Sequence, residues 1–131
     1  MQPQTIDPVE LYAKVCQGHG VDLVDVRTVE EFMEARARGA RSLPLHGLTP
    51  EALHRSRPAG VDGPVYLICR SGGRSHRACE MLAQAGYVDV VNVLGGTLAW
   101  QAAGLPMESS HLVERLGATT QIGTRKGVRS S

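Results

Sequence analysis

Cysteine is scarce and unpaired in this chain: Cys16, Cys69 and Cys79 are an odd number, with no Cys-x-x-Cys spacing. That pattern argues against both a disulfide framework and a zinc site, and it suits a reducing compartment. His19, His46, His54 and His111 likewise have no ligand-like spacing, so no metal is expected. An excess of one charge is also missing. The formal net charge is +1 with 21% charged residues, and this balance calls for neither nucleic acid nor a membrane surface as partner. No apolar stretch approaches bilayer-spanning length, and the N-terminus lacks a basic region followed by an apolar one. A soluble, cytoplasmic chain is therefore expected. There are no internal repeats and no low-complexity segments. Aromatics are few, with one Trp, three Tyr and one Phe, so Trp100 reads as a core or rim residue.

Over 131 residues, short apolar runs alternate with helix-period segments, enough for one domain with an ordinary core. Val21–Val26, Arg41–Leu45, Val65–Ile68 and Val90–Val93 read as strands. The alternation predicts an α/β domain with a mostly parallel sheet. Helix starts are marked by Asp7-Pro8 with Glu10, by Thr28 with Glu31, and by Thr49-Pro50. Ala78, Met81, Leu82 and Ala85 recur at helical spacing, predicting an amphipathic helix from about Ser75 to Ala85 that ends at Gly86. A last short helix is expected from Thr97 to Ala103, between breakers at Gly95-Gly96 and Gly104-Leu105-Pro106. The compact domain is expected to span residues 1–107. Residues 108–131 read as a flexible tail in which only Leu112, Val113 and Leu116 hint at a helical turn.

The run from Val65 to Ser75 carries the most chemical information. An apolar strand delivers Cys69 into the loop Arg70-Ser71-Gly72-Gly73-Arg74-Ser75, which then opens a helix. Loop N–H groups, the positive end of the helix dipole and two guanidinium groups all favour negative charge on sulfur, which makes a nucleophile. A packed core position seldom precedes Arg-Ser-Gly-Gly-Arg, so Cys69 is read as reactive rather than as a small buried hydrophobe. Arg70 and Arg74 present planar donor forks suited to holding an oxyanion over the sulfur. Ser71 and Ser75 add hydroxyl donors, with helix capping as the alternative role for Ser75.

These segments resemble a single-domain rhodanese, a sulfurtransferase. Leu23-Val24-Asp25-Val26-Arg27 with Glu31-Phe32 resembles that family's early segment, and Cys69 to Ser75 resembles its active loop. Ala85-Gly86-Tyr87, Val91 to Gly96, Ala99-Trp100 and Ala103 to Pro106 resemble its closing segment in order and spacing. The likeness runs from about Ile6 to Pro106. It implies the rhodanese-like fold, about five mostly parallel strands with helices on both faces. It also implies that Cys69 takes the outer sulfur of thiosulfate or a similar donor as a persulfide and passes it to cyanide, a thiol or a protein acceptor. No cofactor is implied. Strand-end position and resemblance together assign Asp25 and Arg27 a structural salt link.

One departure lies at Ala35 to Ala40, where the family usually shows a Gly-His-Ile-Pro-Gly-Ala-like stretch and only Gly39-Ala40 matches. Arg36 stands at the usual histidine position, so histidine receives no catalytic role. Arg36, Arg38 and Arg41 read as a solvated face. Cys79 lies ten residues past Cys69, about 15 Å along a helix, and reads as core packing, as does Cys16. His76 reads as a solvent-facing helix residue. A cysteine phosphatase or arsenate reductase resembles Cys-x5-Arg, which would put arginine at Ser75, whereas the last loop arginine here is Arg74. The other alternative is a protein-binding sulfur-carrier module.

Overall fold

The computed structural model describes residues 3–87 and 89–110. Most of the expected tail, including Leu112, Val113 and Leu116, lies outside them, as do His111 and residues 1 and 2.

The local signals for helices are realised as hydrogen bonds. Asp7 accepts from Val9 N at the start of α1 (Pro8–Cys16). Thr28 and Glu31 form a reciprocal capping box at α2 (Val29–Glu34). Thr49 accepts from Ala52 N at α3 (Pro50–Ser56), whose proline occupies the first turn. Among the described residues the longest helix is α4 (Gly73–Gln84), and α5 (Gly96–Ala102) is the last.

Five parallel strands form the central sheet: β1 (Gln4–Ile6), β2 (Asp22–Asp25), β4 (Arg41–Ser42), β5 (Val65–Ile68) and β6 (Val90–Val93). Their order is β1-β6-β5-β2-β4, all parallel. A separate antiparallel pair joins β3 (Arg36–Ala37) to β7 (Met107–Glu108), which begins at the expected domain limit. The expected strand Arg41–Leu45 is shorter than read. Pro44 has no N–H to give a ladder and leads instead into a 3₁₀ turn at Leu45–Gly47.

β5, β2 and β6 are buried throughout, so alternate residues supply two cores. On one face Val24, Val65, Leu67, Cys69 and Val90 pack with Leu53 of α3 and Ala78, Cys79 and Leu82 of α4. On the other, Leu23, Tyr66, Ile68, Val91 and Val93 pack with Leu11 of α1 and Trp100 of α5. Trp100 meets Tyr12 edge-on at 5.9 Å and donates its indole N–H to Pro106 O at 2.8 Å.

Three expectations need correction. The buried face of α4 is Ser75, Ala78, Cys79 and Leu82, while Met81 and Ala85 are exposed. Ser75, turned toward Cys69, sets the rotation of this helix. Cys16 is exposed rather than packed. Arg41 is not solvated: it pairs with the buried carboxylate of Asp22 at 2.8 and 3.2 Å, and Arg57 approaches the same carboxylate at 3.4 Å. Arg36 stacks over Phe32 at 4.6 Å and donates to Phe32 O and Ser110 Oγ. Arg38 stays largely exposed near Glu108.

Candidate active site

Cys69 lies one residue beyond β5, at the carboxyl end of the central strand and shortly before α4 begins. It is 1% exposed. Gly72, at φ +106°, turns the chain into α4 and has no side chain with which to cap it. The cysteine sulfur takes that acceptor position. Its Sγ receives Gly72 N at 3.1 Å, Ser75 N at 3.4 Å and Ser75 Oγ at 3.3 Å. The third-residue N–H of a helix, normally taken by a capping oxygen, is thus directed at sulfur.

A second set of bonds holds the outside of the loop. Thr97 donates both its N–H (2.8 Å) and its hydroxyl (2.9 Å) to Cys69 O, and Leu98 N donates to Arg70 O at 3.0 Å. Because a trans peptide points its N–H opposite to its C=O, fixing Arg70 O toward α5 turns Ser71 N–H toward the sulfur. This clamp depends on Gly96, at φ +60°, where a Cβ would lie 2.5 Å from Cys69 O.

Burial pushes the Cys69 thiol up. The Ser75 hydroxyl and N–H, with the N–H groups of Gly72 and Ser71, outweigh it and leave the thiol below its ordinary range. Cys79, equally buried but without such donors, is pushed up to about 12. Environment alone separates these two cysteines.

Arg74 does not point freely into solvent. It makes a two-pronged pair with Glu31 at 2.9 and 3.0 Å, joining α4 to the capping box of α2. That pair, first, and Thr28, next, overcome burial and lower Glu31 to about 2. The Arg74 side chain also borders a hollow of about 330 Å³ lined by Val26, Thr28, Pro44, Leu45 and His46. Arg70 is exposed at the loop surface. Ser71 and Gly73 are exposed, and Gly72 and Ser75 are buried. Asp25 and Arg27 form a buried bidentate pair, and Arg27 also donates to Ala35 O at 2.7 Å, so the end of β2 is bound to the end of α2. His76 sits outside the cradle, 3.8 Å from Glu80.

The sequence reading gave Glu31 only a helix-capping role and placed neither Asn92 nor Thr97 at the site. Asn92 left a signal: a carboxamide inside the apolar run Val90–Val93, in a strand buried on both faces, requires a polar partner. That partner is Ser75, whose Oγ lies 2.5 Å from Asn92 Oδ1.

A parallel α/β sheet with a cysteine ringed by loop and helix-terminal N–H groups just past its central strand defines a class of cysteine-loop α/β domains. Residues 7–103 match the Rhodanese-like domain, and the chain belongs to that family. It is 39% identical over 102 residues to a sulfurtransferase of Allochromatium vinosum, covering 78% of this chain and 92% of that one. It is also 39% identical over 93 residues to the thiosulfate sulfurtransferase GlpE of Actinobacillus succinogenes, covering 70% and 79%. The crystal structure of a rhodanese-like domain protein from Staphylococcus aureus superposes with a TM-score of 0.64 at 33% identity, over 81% of this chain and 99% of that one.

Proposed function

We propose that the chain is a thiosulfate sulfurtransferase with Cys69 as nucleophile. The observation that carries this reading is the convergence of Gly72 N, Ser75 N and Ser75 Oγ on one buried sulfur. The Cys69 thiolate attacks the outer sulfur of thiosulfate. A new S–S bond forms, the donor's S–S bond breaks, and sulfite leaves with the bonding pair. The resulting persulfide anion is stabilised by the same donors that favour the thiolate. Cyanide or a thiolate then attacks the outer sulfur and departs as thiocyanate or a new persulfide, returning Cys69 as thiolate. Neither step consumes a metal or an organic cofactor.

In this reading the loop from Arg70 to Ser75 forms the anion cradle. Arg74 holds the loop to α2 through Glu31 and lines the hollow, while exposed Arg70 attracts the anionic donor. Asp25 and Arg27 are structural. Ser75 meets sulfur with both N–H and hydroxyl at the position where a Cys-x5-Arg loop carries arginine, which supports sulfur transfer over phosphate hydrolysis. The free thiols at Cys16, Cys69 and Cys79 suit a reducing, cytoplasmic setting.

The test is intact mass after incubating reduced protein with thiosulfate. A gain of one sulfur, about 32 Da, reversed by reductant and absent in Cys69→Ser, is the expected result. No gain in the native chain, or an equal gain in Cys69→Ser, overturns the reading.

A further inference from the structure

The Ser75 hydroxyl has one proton and three acceptors within reach. Asn92 Oδ1 lies at 2.5 Å, Gly72 O at 3.2 Å and Cys69 Sγ at 3.3 Å. Asn92 is buried, and its Nδ2 approaches Gly72 O at 3.5 Å, which directs its oxygen toward Ser75. The alternation along β6 puts Asn92 on the same sheet face as Val90, the face that carries α4. Gly72 O already accepts His76 N at 3.0 Å, so it does not depend on either side chain.

We propose that Asn92 is a positioning residue that competes with Cys69 for the Ser75 proton. In the resting thiol, Ser75 O–H donates to Asn92 Oδ1, and its oxygen faces Sγ as an acceptor for the thiol S–H. When sulfur becomes an anion, the Ser75 proton turns to it and Asn92 loses its donor. The carboxamide thereby favours the neutral thiol and restrains a cradle whose other donors all favour the anion. An apolar side chain at 92 removes the competitor and leaves the Ser75 proton to sulfur.

The charged groups around this sulfur do not explain such an effect. They are exposed Arg70 in the loop, Arg74 on α4 with its partner Glu31 on α2, and the Asp25–Arg27 pair at the end of β2. His46, after β4, borders the hollow beside Arg74. β6 and the turn into α5 bring no titratable residue. Substitution at Asn92 therefore changes no charge near Cys69.

The inference rests on Cys69 being the reactive thiol, but its test does not need sulfur transfer. In a Cys16→Ser background, which removes the exposed thiol, the rate of Cys69 alkylation by iodoacetamide is followed against pH. Asn92→Leu keeps the branching of asparagine without its acceptor, and Asn92→Val is the second variant should leucine not fold. Either lowers the alkylation midpoint by roughly 0.5 to 1 pH unit, the equivalent of one redistributed hydrogen bond. Ser75→Ala raises the midpoint, and adding the Asn92 substitution to Ser75→Ala produces no further change. An unchanged or raised midpoint in the single Asn92 variant, or the same fall in the Ser75→Ala background, overturns the proposal. Failure of persulfide formation with the midpoint pattern intact would overturn only the sulfurtransferase reading.

Discussion

Gly96 carries the tightest steric demand around the cradle, because its absent Cβ is what lets the carbonyls of Cys69 and Arg70 reach α5. Gly96→Ala should destabilise the domain by about 2 to 3 kcal/mol, from overpacking plus a left-handed backbone. Thermal melting measures that loss, and slower Cys69 alkylation at neutral pH would accompany it as Ser71 N–H drifts from the sulfur. Cys79 gives a contrasting expectation. In native protein, mass spectrometry after brief iodoacetamide treatment should show label on Cys16 and Cys69 alone, with Cys79 reacting only after unfolding, since burial without donors keeps it protonated. The sequence pointed to the glycine pair as a breaker and singled out Cys69 at the head of its loop. It did not reveal that Gly96 is fixed by two carbonyls 26 positions or more upstream, because such a demand exists only once α5 has docked.

At the scale of elements, the Glu31–Arg74 pair joins two helices that start independently. Glu31 has its carboxyl lowered from the ordinary range to about 2. A depressed carboxyl pKa stabilises the fold above the unfolded value near 4.5, and the contribution disappears as pH falls from there toward 2. Each side chain is about one-third exposed, so solvent screening limits the effect to roughly 1 kcal/mol or less. Urea melts of native and Glu31→Gln protein should differ above about pH 5 and converge near pH 2. The capping box behind this pair was legible because its two residues lie three positions apart. β1, β3 and β7 were not, since two or three residues carry no readable period and their pairing is supplied from far along the chain. The rotation of α4 was misjudged for a related reason: apolar spacing favoured Met81, whereas a polar contact to sulfur turned Ser75 inward.

Across the whole molecule, the Asp22 charge cluster and the site chemistry occupy opposite ends of the parallel strands. Asp22, at the start of β2, anchors Arg41 and Arg57, while Asp25, about 10 Å further along the strand, adjoins the cradle. Asp22→Ala leaves two guanidinium groups without their shared carboxylate and should cost about 3 kcal/mol by chemical denaturation, with the pH profile of Cys69 alkylation unchanged. The α/β class and parallel sheet could be read from alternating runs, but the strand order could not, because no local pattern encodes which strands become neighbours. That order bears on how the chain acquires its shape. Among the described residues β1 precedes the other strands in sequence and pairs with β6 alone, with Gln4 opposite Val91. It must wait for nearly the entire domain to be synthesised before it can pair. Closing so long a loop costs chain entropy before any contact repays it, so β1 is expected to be the last strand to join and its docking the slow step of folding.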